Sequence, residues 1–265
     1  MDMIGVDIGN SNISLAVFAK GKLDRTERVP VDQAQAQKLA DILAVFREIC
    51  GPQPLGAKTV PITVSSVNPD ALELVERAVT DTFKQNVLLI GRDFPLEMKT
   101  AVENPEAVGK DRLITAFAAF EVIGRAAVIA DFGTATTIDC VNDNGIFLGG
   151  VIFPGLSLAA RSLNAYTAAL PNVKPRIPES IFGTNTIMAI QNGIYYSAIG
   201  ALREIVERYA EELGCWPQVV VTGGFANMIA QKCDFIDSLV PDLCLNGLYL
   251  AYRRFHESQL AEEQP

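Results

Sequence analysis

Histidine is almost absent from the 265-residue sequence, and the single one, His256, lies among charged residues near the C-terminus. A histidine-based catalytic triad and a histidine-rich zinc site both depend on imidazole groups, so the sequence disfavours both classes of site. The five cysteines show no C-x-x-C spacing, and most have apolar neighbours. This pattern favours buried free thiols over a disulfide framework.

The sequence also lacks a run of basic residues and an apolar stretch long enough to span a membrane. The formal net charge of −9 disfavours a nucleic-acid-binding surface, although backbone amides can still bind anions locally. Asp2, Asp7 and Asn10 interrupt the N-terminal region, so no signal peptide is predicted. We therefore expect a soluble, cytoplasmic protein with neither a nucleic-acid partner nor a membrane partner.

What the sequence does contain is an alternation of strands and helices. Apolar runs predict strands over 3–7, 13–18, 23–29, 59–65, 87–90, 126–130, 137–141 and 218–222. Apolar residues at helical spacing predict helices over 32–50, 70–83, 113–122, 187–213 and 243–255, the fourth of which Gly193 or Gly200 could interrupt. Residues 91–112 have little periodicity and are predicted to form a loop that joins two halves.

The opening pattern of the chain occurs twice. D-I-G-N-S at residues 7–11 and D-F-G-T-A at residues 131–135 each follow an apolar run and each open a strand–turn–strand unit. Two such units predict a duplicated pair of α/β halves that face one another, with mixed sheets in which hairpins are antiparallel and crossovers are parallel.

The first copy has the composition of a phosphate-binding turn. Gly9 permits a tight turn with positive φ, and Asn10, Ser11 and Asn12 offer donors beside exposed amides. A carboxylate repels phosphate, so Asp7 would act through a cation, directly or through its waters. The alternative is an ordinary hairpin turn in which Asp7 caps backbone amides.

The second copy favours the binding interpretation, because Asp131 would add a second carboxylate to a clamp for a cation and a phosphate group. Thr134, directly after Gly133, is the best hydroxyl donor, whereas other threonines there suit a plain strand. Gly223 and Gly224 follow an apolar strand and would let a nucleoside lie against the chain. A strand-to-helix turn that needs a left-handed residue is the equally open alternative.

These motifs resemble the acetate kinase/sugar kinase/Hsp70/actin superfamily and, within it, the type III pantothenate kinases. Seven segments carry the resemblance in order along the chain: D-I-G-N-S-N at 7–12, N-P-x-x-V-G-x-D-R at 104–112, D-F-G-T-A-T-T-I-D at 131–139, G-G-V-I-F-P-G-L at 149–156, G-x-N-T at 183–186, V-T-G-G at 221–224 and P-D-L-x-L-x-G-L at 241–248. The resemblance implies two actin-like (ribonuclease H-like) ATPase domains, residues 1–110 and 111–265. It implies ATP-dependent phosphorylation of pantothenate to 4′-phosphopantothenate, the first step of coenzyme A synthesis.

On the donor side, the resemblance implies a nucleotide site with two loops. The phosphates of ATP would be bound by Thr134 and by the first loop, which comprises Asp7, Ile8, Gly9, Asn10, Ser11, Asn12, Ile13 and Ser14. Gly223 and Gly224 would form the adenosine loop. Asp131 would hold a monovalent metal or ammonium ion, with potassium and ammonium as the candidates, and Mg²⁺ would accompany the nucleotide.

On the acceptor side, the resemblance implies that Asp111 is the base that takes the proton of the primary hydroxyl of pantothenate. The pantothenate-binding residues would be Val102, Gly109, Lys110, Asp111 and Arg112. Thr186 would reach pantothenate bound by the neighbouring subunit, which implies a homodimer with shared active sites. Without the resemblance, Asp111 could simply cap a helix that starts at Leu113, with Arg112 solvated.

Three positions around the acceptor depart from the family pattern. The family usually has tyrosine where this chain has Val102, asparagine where it has Thr115, and a small residue where it has Lys110. Two alternatives therefore stay open: a kinase for another small hydroxyl acceptor, and a regulatory homologue that binds ligand without turnover. Retention of Asp7, Asp111 and Asp131 argues against the second.

Overall fold

The computed structural model describes residues 1–51 and 59–262, which form two compact α/β units. The first unit contains residues 1–97, 106–118 and the chain from Cys244 onward, and the second contains residues 98–105 and 119–243. The predicted domains divide the chain once, after residue 110, whereas in the structure the C-terminal helix belongs to the first unit. Its packing explains this, because Leu245 and Tyr249 are buried against Met3 and Phe18 of the first sheet.

The elements alternate along the chain much as the periodicity predicts. The strands are β1 (Met3–Ile8), β2 (Asn12–Ala19), β3 (Lys22–Pro30), β4 (Ile62–Ser66), β5 (Leu88–Leu89), β6 (Lys99–Thr100), β7 (Ala127–Phe132), β8 (Ala135–Val141), β9 (Ile146–Pro154), β10 (Gln218–Thr222) and β11 (Ser238–Leu239). The α-helices are α1 (Ala36–Ile49), α2 (Pro69–Phe83), α3 (Lys110–Ile123), α4 (Leu156–Ala165), α5 (Thr186–Leu213), α6 (Ala226–Ala230) and α7 (Leu243–Glu262).

The first unit is built on a five-stranded sheet in the order β3-β2-β1-β4-β5. β1 is antiparallel to β2 and parallel to β4, so the sheet is mixed as predicted. Side chains alternate between its two faces. One face, which includes Ile4, Val6 and Ile8, is buried against α1 and α2, and the opposite face packs against α7, where the rings of Phe18 and Tyr249 stack with centroids 4.5 Å apart.

The second unit repeats this plan on a six-stranded sheet in the order β11-β10-β7-β8-β9-β6. β7 is antiparallel to β8 and parallel to β10, as β1 is to β2 and β4. Its main core lies between the sheet and the helices α4, α5 and α6, with Tyr195 of α5 among the largest fully buried side chains. The prediction of an α/β fold with mixed sheets is therefore confirmed.

Helix boundaries follow local chemistry. The Asn68 side chain accepts a hydrogen bond from Ala71 N and caps α2, and Asn185 accepts from Met188 N and caps α5. The predicted break in α5 is wrong, because the helix runs unbroken through Gly193 and Gly200. Neither glycine would bring a Cβ within 4 Å of other atoms, so neither marks a tight contact.

Among residues 1–51 and 59–262, no helix is long and apolar enough to cross a membrane. All five cysteines are free. Cys140 and Cys233 are buried as predicted, but Cys215 is exposed.

Candidate active site

A row of polar side chains crosses the sheet of the first unit where β1 ends. Asp7 pairs with Ser14 on β2 and with Ser65 on β4, and Ser14 pairs in turn with Arg28 on β3. Directly paired residues on neighbouring strands have side chains on the same face of a sheet. Arg28, Ser14, Asp7 and Ser65 therefore form one row, which we call the Asp7 row, on the face that α7 covers.

The partly buried Asp7 carboxyl is electrostatically strained. Its pKa is raised from 3.8 to about 6, mainly by burial and in part by the nearby negative charge of Asp111. A hydrogen bond from the Cys244 thiol is the strongest opposing influence, followed by the Ser65 hydroxyl and the positive charge of Arg28. Ser65 is fully buried, and its hydroxyl makes no hydrogen bond shorter than 3.5 Å within the described residues.

The turn that follows Asp7 presents backbone and polar groups to solvent. Gly9 N donates to Asn12 O at 2.9 Å, while Asn10, Ser11 and Asn12 are exposed. Ile8 and Ile13 are fully buried in the core, so they can offer a ligand only their backbone groups. The predicted positive φ at Gly9 is wrong. A Cβ there would lie 3.4 Å from Asn12 O, an ordinary contact distance, so the space around Gly9 does not exclude a side chain.

The N-terminus of α3 places Asp111 beside Asp7 in the same unit. The helix begins at Lys110, so Asp111 lies in its first turn and does not precede a helix that starts at Leu113. Its Oδ1 accepts a hydrogen bond from Arg112 N at 2.9 Å. A Cβ built on Gly109 would lie 2.5 Å from that same Oδ1, so a side chain there would displace the Asp111 carboxylate from this position.

The three positions that depart from the family pattern have distinct surroundings. The Lys110 side chain packs over Gly91, and its Nζ lies 3.5 Å from Glu106 Oε2. The buried Thr115 donates its hydroxyl hydrogen bond to Arg112 O at 3.0 Å. Val102 belongs to the second unit, where its Cγ1 lies 3.5 Å from the position that a Cβ on Gly149 would take.

In the second unit, Asp131 lies at the corresponding place, near the end of β7. A Cβ on Gly223 would overlap Oδ1 of Asp131, and Gly223 has a φ of +94°, so both space and backbone conformation require glycine. Gly224 is exposed, and a Cβ there would have open space. The structure therefore brings Asp131 and the Gly223 turn into direct contact, as a joint role in ligand binding requires.

Thr134 lies in the exposed turn between β7 and β8. Its carbonyl oxygen accepts a hydrogen bond from Gly155 N at 3.1 Å, which links the turn to the residue before α4. Gly155 is the residue before α4, and a Cβ on it would lie 2.5 Å from Thr134 O. A similar contact occurs deeper in the sheet, where a Cβ on Gly150 would overlap the carboxylate of the buried Asp139.

The two halves match residue by residue around their aspartates. Asp131 pairs with Thr137 on β8 and with Thr222 on β10, as Asp7 pairs with Ser14 and Ser65. Thr137 pairs in turn with Ile152 on β9, the position equivalent to Arg28. The duplicated pattern in the sequence thus corresponds to a duplicated strand register. At the equivalent position of the third strand, the first unit has a positively charged residue, Arg28, and the second has Ile152.

The Asp131 carboxylate is an oxygen donor that a cation could bind. No three His, Cys, Asp or Glu side chains within residues 1–51 and 59–262 cluster closely enough to hold a metal ion. The Asp131 carboxylate lies beside the backbone of Phe132 and Gly223, so it is a single charged oxygen donor next to main-chain groups. Such a donor set suits an ion that accepts carbonyl and water oxygens as its remaining ligands.

Thr186 is the first residue of α5. It lines a cavity of about 690 Å³ between α4 and α5, together with mainly apolar residues such as Leu163, Tyr166 and Ile190. Tyr166 is 88% exposed, and Phe182, in the segment before α5, is 77% exposed. The amide of the buried Asn192 donates hydrogen bonds to Ser180 O and Ile181 O and so anchors that segment to α5.

Sequence reasoning missed three residues that act on Asp7. Ser65 ends a predicted strand, Cys244 occupies a variable position of the P-D-L-x-L-x-G-L segment, and Arg28 lies in a predicted strand. The strand pairing that aligns them is not visible in any local pattern. Only Ser65 could have been found from the sequence. It is a small polar residue at the end of an apolar run, as Asp7 is, and this pattern could have marked it as a site residue.

Comparison with known proteins identifies close relatives of the chain. A family model for type III pantothenate kinases matches residues 3–208. A type III pantothenate kinase from Bacillus cytotoxicus is 36% identical over 250 residues, which cover 94% of this chain and 95% of the relative.

Solved structures share the fold at lower identity. A Campylobacter jejuni protein described as a Baf family transcriptional activator has a TM-score of 0.60 and 20% identity, covering 98% of this chain and 100% of that chain. A Sinorhizobium meliloti protein described as a 2-dehydro-3-deoxygalactonokinase has a TM-score of 0.54 and 13% identity, covering 95% and 98% of the two chains. At these identities the similarity shows the fold alone, and it confirms the predicted fold class of actin-like ATPases and sugar kinases.

Proposed function

The chain belongs to the type III pantothenate kinase family, and we propose how its residues carry out the family's reaction, the ATP-dependent phosphorylation of pantothenate to 4′-phosphopantothenate. This reaction is the first step of coenzyme A synthesis, and we place it in the cytoplasm. Phosphoryl transfer depends mainly on positioning and on stabilising charge, so each residue is assigned by what it can hold in place.

The first loop binds the phosphates of ATP. Residues Asp7 to Ser14 offer exposed amide and hydroxyl donors at Asn10, Ser11 and Asn12, which suit phosphate oxygens. Thr134 lies in the corresponding turn of the second unit and contributes a hydroxyl to the same ligand. The Gly223–Gly224 turn receives the adenosine part, since Gly224 leaves open space above the backbone.

Asp111 is the general base. The observation that carries this assignment is that the N-terminus of α3 brings Asp111 close enough to Asp7 for its charge to raise the Asp7 pKa. The acceptor hydroxyl would donate its proton to Asp111 while its oxygen attacks the γ-phosphoryl group. Gly109 leaves space for the carboxylate, and Val102, Lys110 and Arg112 contribute to acceptor binding.

Two kinds of cation fit the donor groups. Asp131 would hold potassium or ammonium, and Asp7 would contact Mg²⁺ of the nucleotide, directly or through its waters. These ions neutralise negative charge on the phosphates. The carboxylates themselves orient the nucleotide through those contacts.

A homodimer would complete the acceptor site through Thr186. Tyr166 and Phe182 are large, mostly exposed aromatic residues near the N-terminus of α5, and such residues are enriched at protein interfaces. The hydrogen bonds of Asn192 hold the Phe182 segment in place, which reduces the entropy lost on association. We assign this surface, Tyr166, Phe182 and the start of α5, to the second copy.

Pantothenate-dependent ADP release, measured with and without potassium or ammonium, tests the reaction and the monovalent cation together. Asp111→Asn should lower kcat by about 10²- to 10⁴-fold while ATP binding stays nearly unchanged. Asp70→Asn is the matched control, because Asp70 occupies the same position in the first turn of α2. Full activity of Asp111→Asn would refute the assignment of the base.

Val102, Lys110 and Thr115 bear on the affinity for the acceptor. The same ADP-release assay with a panel of small hydroxyl compounds separates pantothenate from rival acceptors. Release that depends on another compound but not on pantothenate would replace the acceptor and leave the nucleotide site as assigned.

A further inference from the structure

Arg28 belongs to the Asp7 row but has no part in the chemistry described above. Ser14 pairs with Asp7 on one side and with Arg28 on the other. The irregularity between β2 and β3 lies at Val17 and Phe18, so it leaves the register at Ser14 intact. The Arg28 side chain therefore lies on the same face of the sheet as Asp7.

The strand that carries Arg28 also supports the phosphate loop. Val31 N, just after β3, donates a hydrogen bond to Ser11 O at 2.9 Å, and Asn12 pairs with Pro30. Adjacent strands are about 4.8 Å apart, which puts the Asp7 and Arg28 backbones about 10 Å from one another. Arg28 is exposed, and its charge still reaches Asp7, since it lowers the pKa of that carboxyl.

The positive charge of Arg28 occurs only in the first half of the duplicated pattern. The equivalent position in the second unit is Ile152, although the aspartate and its hydroxyl-bearing neighbour are matched there by Asp131 and Thr137. A positive charge is therefore not a requirement of the strand–turn–strand unit. Arg25, on the same strand, forms an ion pair with Glu27 at 2.6 Å.

We propose that Arg28 is a further nucleotide-binding residue, whose guanidinium binds the terminal phosphate groups of ATP at the end of the Asp7 row. A guanidinium presents several donors in a planar fork that matches phosphate oxygens. It also supplies a positive charge next to the loop in a chain whose net charge is −9. The proposal rests on ATP being the phosphoryl donor and does not depend on the acceptor.

Calorimetric titration of the full chain with Mg²⁺ and ATP, ADP or AMP tests this proposal in the absence of any acceptor. Arg28→Ala should weaken ATP binding by about 10- to 100-fold, the range of a hydrogen-bonded charged contact, and leave AMP binding within about twofold. Arg28→Lys should recover part of the loss, because it retains the charge but not the fork. Arg25→Ala, the matched control, should bind all three nucleotides as the unaltered chain does.

Unchanged ATP affinity in Arg28→Ala, or an equal loss for ATP and AMP, would overturn the proposal. Thermal unfolding without nucleotide checks that each variant is folded. If Arg28→Ala unfolds early, Arg28→Gln, which keeps the length and removes the charge, decides the matter in the same titration. Because acceptor is absent, a failure of pantothenate phosphorylation cannot be mistaken for a failure at Arg28.

Discussion

Replacing Asp7 with asparagine should stabilise the ligand-free protein even though it removes a residue of the nucleotide site. Burial raises the Asp7 pKa from 3.8 to about 6, so the folded state holds a proton that the unfolded chain has already lost. Between these two values, stability falls as the pH rises, because the folded state must release that proton into an unfavourable charged state. At 1.36 kcal/mol per pKa unit, the buried charge costs as much as about 3 kcal/mol above pH 6.

Asparagine has nearly the same shape and no charge, so Asp7→Asn should recover this free energy at pH 8. Near pH 4 the variant and the unaltered chain should differ by only about 0.5 kcal/mol, because Asp7 is protonated in the folded state and still about 40% protonated in the unfolded state. Urea unfolding from pH 4 to pH 8, without nucleotide, measures the difference. Nucleotide has to be left out because any ligand of the folded state would add its own stabilisation.

The control for this experiment is Asp24→Asn, since Asp24 is an exposed aspartate on β3 of the same unit. It should change stability by less than about 0.5 kcal/mol at every pH, as surface substitutions usually do. A gain for Asp7→Asn that is the same at pH 4 and pH 8 would refute the electrostatic reasoning, and so would a loss at pH 8. Catalytic activity should fall in the same variant, so stability and activity would change in opposite directions.

Three further substitutions test the geometry of the site. Gly109→Ala should lower kcat far more than stability, because its Cβ would displace Oδ1 of Asp111; steady-state kinetics beside urea unfolding checks this. Gly223→Ala should destabilise by at least about 1 kcal/mol, from its φ of +94° and a Cβ 2.7 Å from neighbouring backbone, whereas Gly224→Ala should be nearly neutral. Equal unfolding curves for these two variants would contradict that account. Phe182→Asp should yield monomers in sedimentation experiments and reduce activity, and an intact dimer would remove Phe182 from the interface.

The sequence alone predicted the two strands that carry Asp7 and Asp131. Continuous apolar runs ending in a carboxylate and a glycine predicted β1 and β7 to within two residues at each end. The start of α3 was harder, because its first turn, Lys110–Arg112, is polar and has no apolar periodicity. The helix α4 was not predicted, since ten residues directly after Pro154 and Gly155 are too short for a clear helical pattern.

Contacts distant in sequence account for what could not be predicted at the site. Burial and the charge of Asp111 raise the pKa of Asp7, whereas Cys244 and Ser65 lower it. Strand pairing and two helix termini bring these three residues to Asp7 from far along the chain. The backbone conformations of Gly9 and Gly223 were also not predicted correctly from the sequence. Gly9 was expected to permit a turn with positive φ and does not adopt one, whereas the Gly223 turn could not be decided from sequence and has a φ of +94°.

The contacts between aspartates and glycines constrain how this chain can change over generations. Asp111 occupies the space of a side chain at Gly109, Asp131 does so at Gly223, and Asp139 at Gly150. At Gly150 and Gly223 backbone atoms also fill that space, Ile138 O at the first and Phe132 at the second, so these two positions stay closed to a side chain whatever the acid. At Gly109 the Asp111 carboxylate alone fills it, so a descendant that no longer needed this carboxylate could shorten the acid first and then acquire a side chain at residue 109.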